Sequence, residues 1–225
     1  MTGPPASWRA LLDGLRHPGP PLRALKGTAV ILLLLCLAAV GVLIWLGRAW
    51  HGDSHQLFRE RQVGTYLSAL NLAATGVVSA AVARGLPRSS FARFWWAAAI
   101  GFVWLACDDL FVLHERIDRG VHVLLGLDPD HPVTDHLDDL IVAGYGVAAA
   151  ALAYAHRAEL ARLRWMVLVL AQAFVVFAAM VVLDFLHLSK TAEDALKVVA
   201  GTMILVAFLA AWFEIPSRTG RDDGR

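Results

Sequence analysis

TAVILLLLCLAAVGVLIWL, residues Thr28–Leu46, is an uncharged run of nineteen residues. A helix crosses a hydrocarbon layer of about 30 Å with roughly 20 predominantly apolar residues. This run is long enough for that, and too long for the apolar core of a cleavable signal. The residues before it include Pro4, Pro5, Pro18, Pro20 and Pro21, and no small-x-small cleavage site follows it cleanly. A retained first span is expected.

Five further stretches meet the same length criterion: Val63–Ala83, Phe94–Leu113, Leu137–Ala155, Trp165–Leu186 and Ala195–Phe213. The fourth and sixth spans are less apolar at their starts, where Asp138, Asp139 and Lys197 intrude. The fold class is therefore all-α, an integral membrane bundle of six transmembrane helices. Residues 28–213 form the membrane domain, 1–27 a cytoplasmic or interfacial segment and 214–225 a cytoplasmic tail. Trp8, Leu11, Leu12 and Leu15 recur at helical spacing behind Ser7 as a cap, which suits a short interfacial helix.

Composition agrees. The chain is 58% hydrophobic and 17% charged, with a mean hydropathy of +0.58, whereas soluble domains carry roughly 25% charge. One soluble core could not hide so much apolar surface, so lipid is part of the solvent. A net charge of +1 gives no reason to invoke nucleic acid. Cys36 and Cys107 both sit in apolar runs and imply no disulfide framework.

Orientation follows from Lys and Arg, which favour the cytoplasmic side. With the N-terminus inside, the inner segments hold thirteen of the twenty and the outer segments seven. Both termini are then cytoplasmic, in a multi-pass protein of the bacterial inner membrane. The first outer loop is the exception, since Arg48, Arg59 and Arg61 match the inner loops in number.

On this topology fourteen of nineteen carboxylates and seven of nine histidines fall on the outer side. The third span ends Cys107-Asp108-Asp109-Leu110-Phe111-Val112-Leu113-His114-Glu115. Read as one continuous helix, it places Asp108, Glu115, Asp118 and His122 on a single stripe, with Asp109 pointing elsewhere. A charge at depth costs roughly 2.5–3.5 kcal/mol or more, so such residues usually face a bundle interior. The fourth span opens Asp135-His136-Leu137-Asp138-Asp139. The fifth ends Asp184-Phe185-Leu186-His187, an acid and an imidazole on one face, as in helical di-metal sites. The sixth opens with Glu193 and Asp194, where Glu193 and Lys197 can pair at i, i+4.

Oxygen-rich sites with one or two imidazoles suit Zn, Mn or Fe(II). Asp108, His114, Asp139, Asp184, His187 and Glu193 are the candidate ligands, and Glu115 or Asp109 the candidate general base. Structural roles stand beside these. Ser68, Asn71, Thr75 and Ser79 form a polar stripe on the second span that reads first as interhelical glue. Asp128, Asp130 and His131 read as a solvated loop, and Asp135 as a cap or loop acid. His51, His55, His122 and His136 read as surface residues.

The string Asp108-Asp109-x4-His114-Glu115 at the end of a span resembles a pattern of polytopic bacterial membrane proteins of unknown function, over spans three to six. In its chemistry the chain is also similar to the alkaline ceramidases, membrane hydrolases with an embedded Asp and His zinc site. Those proteins have seven helices and a His-x3-His pair in the last; here six spans are expected and the sixth has no histidine.

Three functions fit. One is a metal-dependent hydrolase acting on a lipid or other amphiphile at the outer membrane face. Another is a proton- or cation-coupled transporter or channel with Asp108, Asp109 and Asp184 as titrating groups. The last is a non-catalytic membrane subunit, including a haem-binding one.

Overall fold

The computed structural model describes residues 20–58, 62–86, 89–126, 137–186 and 188–215, and these form eight helices and no strand. They are α1 (Pro20–His51), α2 (Val63–Gly85), α3 (Ser90–Phe111), α4 (Leu113–Leu125), α5 (Leu137–Ala155), α6 (Arg157–Leu160), α7 (Arg164–Phe185) and α8 (Lys190–Glu214). Five of them, α1, α2, α3, α7 and α8, are long and apolar enough to cross a membrane; the apolar part of α5, Leu140–Ala155, is shorter. The chain is a multi-pass helical membrane protein. The segment of the expected interfacial helix around Trp8, and the tail beyond Ile215, lie outside the described residues.

The last helix is the centre of the bundle. α8 packs against α7, α2 and α1, and α2 packs in turn against α3. Small residues let it serve so many neighbours: Ala200, Gly201, Ala207, Ala210 and Ala211 are all buried, which brings backbones close, as membrane helix interfaces require. Gly76 does the same between α2 and α3. A Cβ there would lie 3.0 Å from the Val103 side chain and 3.2 Å from the Ala99 carbonyl.

At one end of the bundle the core is aromatic. Trp95 meets Phe94 and Phe208 edge-on, at centroid distances of 5.3 and 5.5 Å, and Phe102 meets Phe208 at 4.9 Å. Leu160, Leu163 and Met166 close this end. Glu214, the last residue of α8, is buried there and its Oε1 accepts the Trp165 amide at 2.9 Å, so α8 caps the start of α7. Elsewhere large apolar side chains face outward, such as Leu34, Leu35, Val77 and Phe174. In water that surface would be a liability; in a bilayer it is the solvent boundary.

The polar stripe on α2 is turned inward. Ser68, Thr75 and Ser79 are buried, and Asn71 donates to Thr202 Oγ1 on α8 at 2.9 Å. Thr202 in turn donates to Cys36 Sγ on α1 at 3.1 Å, tying three helices together. The Thr75 and Ser79 hydroxyls donate one turn back to the carbonyls of Asn71 and Thr75, so they are spent on their own helix.

One expectation fails at the third span. The continuous helix read from Phe94 past His114 breaks at Val112, whose φ of 53° and ψ of 50° are left-handed. The stripe joining Asp108 to Glu115, Asp118 and His122 therefore does not form. A β-branched residue rarely adopts this conformation, and nothing in the apolar string Leu110–Leu113 announces it.

Candidate functional site

What holds the bend is Asp108. Its carboxylate is nearly buried, at 5% exposure; Oδ1 accepts the backbone amide of His114 at 2.7 Å and Oδ2 lies 3.0 Å from His114 Nδ1. One carboxylate thus caps the first turn of α4 and fixes the imidazole. Both Asp108 oxygens are engaged, and among the described residues His114 Nε2 has no hydrogen-bond partner. A ring held by Nδ1 with Nε2 open is oriented to ligate a metal or to accept a proton.

Asp109, the next residue, turns away toward α8, where Lys197 Nζ reaches its Oδ1 at 2.5 Å. Lys197, expected to pair with Glu193 along its own helix, instead bridges two helices. Glu193 is 3.2 Å from Lys190, one turn back. A third acid–base pair joins the loop after α1 to the first turn of α8, with His55 Nε2 2.8 Å from Asp194 Oδ2. Ser54 and Thr191 reinforce it at 3.2 Å. Between these groups lies a cavity of about 10 Å³ lined by Phe58, Thr65, Ser68, Asp194 and Lys197, room for about one water and no substrate. A larger cavity of about 360 Å³ between Val77, Val78, Leu209, Trp212 and Phe213 is apolar and offers no chemistry.

α4 carries the remaining groups. Glu115 lies 3.7 Å from Arg119, and His122 Nδ1 is 3.0 Å from both the Asp118 carbonyl and its carboxylate. His122, expected at the surface, is buried, and its Nε2 has no partner among the described residues. The ends of α3 and α8 thus come together as the sequence suggested. α5 packs on α4 and α6. The side chains of Asp138, Asp139, Asp184 and His187 lie outside the described residues; so do Asp128, Asp130, His131, Asp135 and His136. Among the described residues no group of three His, Cys, Asp or Glu is placed to hold a metal ion. A metal would need donors from those other positions.

Three of the residues in these contacts were hidden in the sequence. Asp194 was overshadowed by Glu193, His55 belongs to no periodic pattern, and Lys197 reads as the i, i+4 partner of Glu193. Only the i, i+3 spacing of Asp194 and Lys197 hinted that the start of α8 presents one mixed-charge face.

A family model for a domain of unknown function, DUF8692, matches residues 27–212. The chain belongs to the DUF8692 family. The match runs from the start of the first apolar span almost to the end of α8, so the whole DUF8692 unit is the helical membrane region. No curated protein and no solved structure matches the chain. The site in this DUF8692 protein therefore has to be read from its own side chains.

Proposed function

We propose that this DUF8692 protein is a six-span protein of the bacterial cytoplasmic membrane with both termini inside, whose extracytoplasmic end is a histidine-centred reaction site for a lipid or other amphiphile. The observation that carries this is the Asp108–His114 contact, which secures Nδ1 and leaves Nε2 open among the described residues. The carboxylate-held histidine is a recurrent support for metal ligands. A divalent ion (Zn, Mn or Fe) would take His114 Nε2, with Asp184, His187, Asp139 and Glu193 as further ligands. Asp108 then orients its neighbour instead of ligating. Glu115, beside His114 in sequence, is the better candidate base, because Asp109 is held by Lys197. When bound, such an ion lowers the pKa of a coordinated water and polarises a carbonyl or phosphoryl oxygen. The likeness to the alkaline ceramidases would be one of this chemistry alone, not of family.

The test is elemental analysis of detergent-purified protein with its His114→Ala, His187→Ala and Asp108→Asn variants. Stoichiometric metal should be present, lost in both histidine variants, and bound about 10–100-fold more weakly in Asp108→Asn. Metal-free wild-type protein that also fails to take up added Zn, Mn or Fe removes the metal from the proposal.

A second reading is proton- or cation-coupled transport, favoured by the Asp109–Lys197 and His55–Asp194 pairs, which bring acidic and basic groups together at the start of α8. Against it, the hydroxyls of Thr75 and Ser79 below the cluster donate to backbone carbonyls of their own helix, not toward a neighbouring titratable group. pH-dependent flux in reconstituted vesicles, abolished by Asp109→Asn, would favour it over the reaction site.

A further inference from the structure

α4 is inside-out. A helix on a water-soluble surface turns its apolar stripe to the core and its charges to solvent. In α4 the polar side is the covered one: His122 is 6% exposed, and Asp118 and Glu115 are partly covered. The apolar side is open, with Leu124 at 83% exposure and Ile117 exposed beside it. The wheel separates these groups at 100° per residue. Ile117, Val121 and Leu124 fall within one sector, opposite Glu115, Asp118 and His122.

Length says how deep the helix lies. α3 has 22 residues, about 33 Å at 1.5 Å per residue, so it has used the hydrocarbon thickness by the time it reaches Phe111. α4 starts two residues later, past the bend at Val112. Its 13 residues span only about 20 Å, too short for a second crossing. Exposed Arg116 and Arg119 sit on its rim, where guanidinium groups can meet anionic headgroups.

We propose that α4 lies in the headgroup–acyl boundary at this end of the bundle, seating Ile117, Val121 and Leu124 on lipid while its polar face covers Glu115, Asp118 and His122 against the protein. The hairpin after α3 is then a lipid-bound helix and not an aqueous loop. This inference is independent of the reaction proposed above.

The test uses single nitroxide labels at Leu124→Cys, Val121→Cys, Ile117→Cys and Arg119→Cys in a Cys36→Ala, Cys107→Ala background. The protein is reconstituted in phosphatidylcholine vesicles containing phosphatidylglycerol as the minor lipid. Collision with dissolved oxygen against collision with a water-soluble nickel chelate reports depth. The ratio of oxygen to nickel accessibility should be several-fold higher at Leu124, Val121 and Ile117 than at Arg119. Equal ratios at all four sites would mean an aqueous loop and overturn the proposal. Dipolar broadening at Leu124 that disappears on dilution with unlabelled protein would assign the face to a second copy instead, and overturn it too. If one variant does not purify as a monodisperse species, the remaining apolar positions against Arg119 decide.

Discussion

Lys197 and Asp109 meet at 2.5 Å although α8 and α3 are 88 residues apart at these positions. The aspartate is nearly buried, at 9% side-chain exposure, while the lysine is about half exposed. α2 lies along both helices, and this pair joins α3 to α8 directly, as do the Phe208 ring contacts with Trp95 and Phe102.

Removing one partner should therefore cost more than removing both. Lys197→Met leaves Asp109 uncompensated and should lower stability by about 1–3 kcal/mol, less than a fully buried pair because the ammonium is half in solvent. Asp109→Leu with Lys197→Met should recover most of that loss. Thermal unfolding in detergent across the double-mutant cycle reads it, and strictly additive losses would show that the pair has no coupling.

Asp108 acts locally, as the cap of α4. Asp108→Ala should cost about 0.5–2 kcal/mol and speed amide hydrogen exchange at His114 and the next turn, with α3 unaffected. Asp108→Asn keeps an oxygen for the His114 amide and should restore protection there while still losing the ring contact. Equal exchange in all three proteins would mean that the bend at Val112 holds itself.

Gly76 should tolerate nothing larger than a small displacement of its neighbours. Gly76→Leu drives a side chain into Val103 and the Ala99 carbonyl and should destabilise by about 1–3 kcal/mol. At Gly101, on the partner helix, an added Cβ would meet no atom within 4 Å, so Gly101→Ala should stay within about 0.5 kcal/mol of wild type. Melting temperatures of the two variants side by side decide whether packing or helix content controls the α2–α3 contact.

Glu214 supports the opposite end. Glu214→Ala leaves the Trp165 amide without its acceptor and should cost about 1–3 kcal/mol; Glu214→Gln retains a carbonyl oxygen and should cost less. A Gln variant as damaged as the Ala variant would show that the negative charge, not the acceptor, matters there.

Hydropathy set most of the helices. α5 starts and ends where the sequence placed the fourth span, and α2 and α7 end within a residue or two of expectation, because a bilayer demands long uncharged runs and turns interrupt them. α1 begins earlier, at Pro20, a favourable first helical position for proline. The bend at Val112 was not legible, since a valine between leucine and phenylalanine carries no breaker signal and the cause is a carboxylate four residues earlier. The glue role of Asn71 was legible as a polar stripe, but its partner Thr202 was not.

The amino-acid order alone determined that this chain is a multi-pass helical protein with acids and histidines concentrated at a few helix ends. That much depends on composition along the chain, which burial in lipid reads directly. Which acid meets which base, that His114 is held by Asp108, that Lys197 belongs to Asp109, and that α4 turns its polar face inward were decided by tertiary structure. Those outcomes rest on distances between helices remote in sequence, and a helical wheel shows two faces without saying which one the rest of the protein will cover.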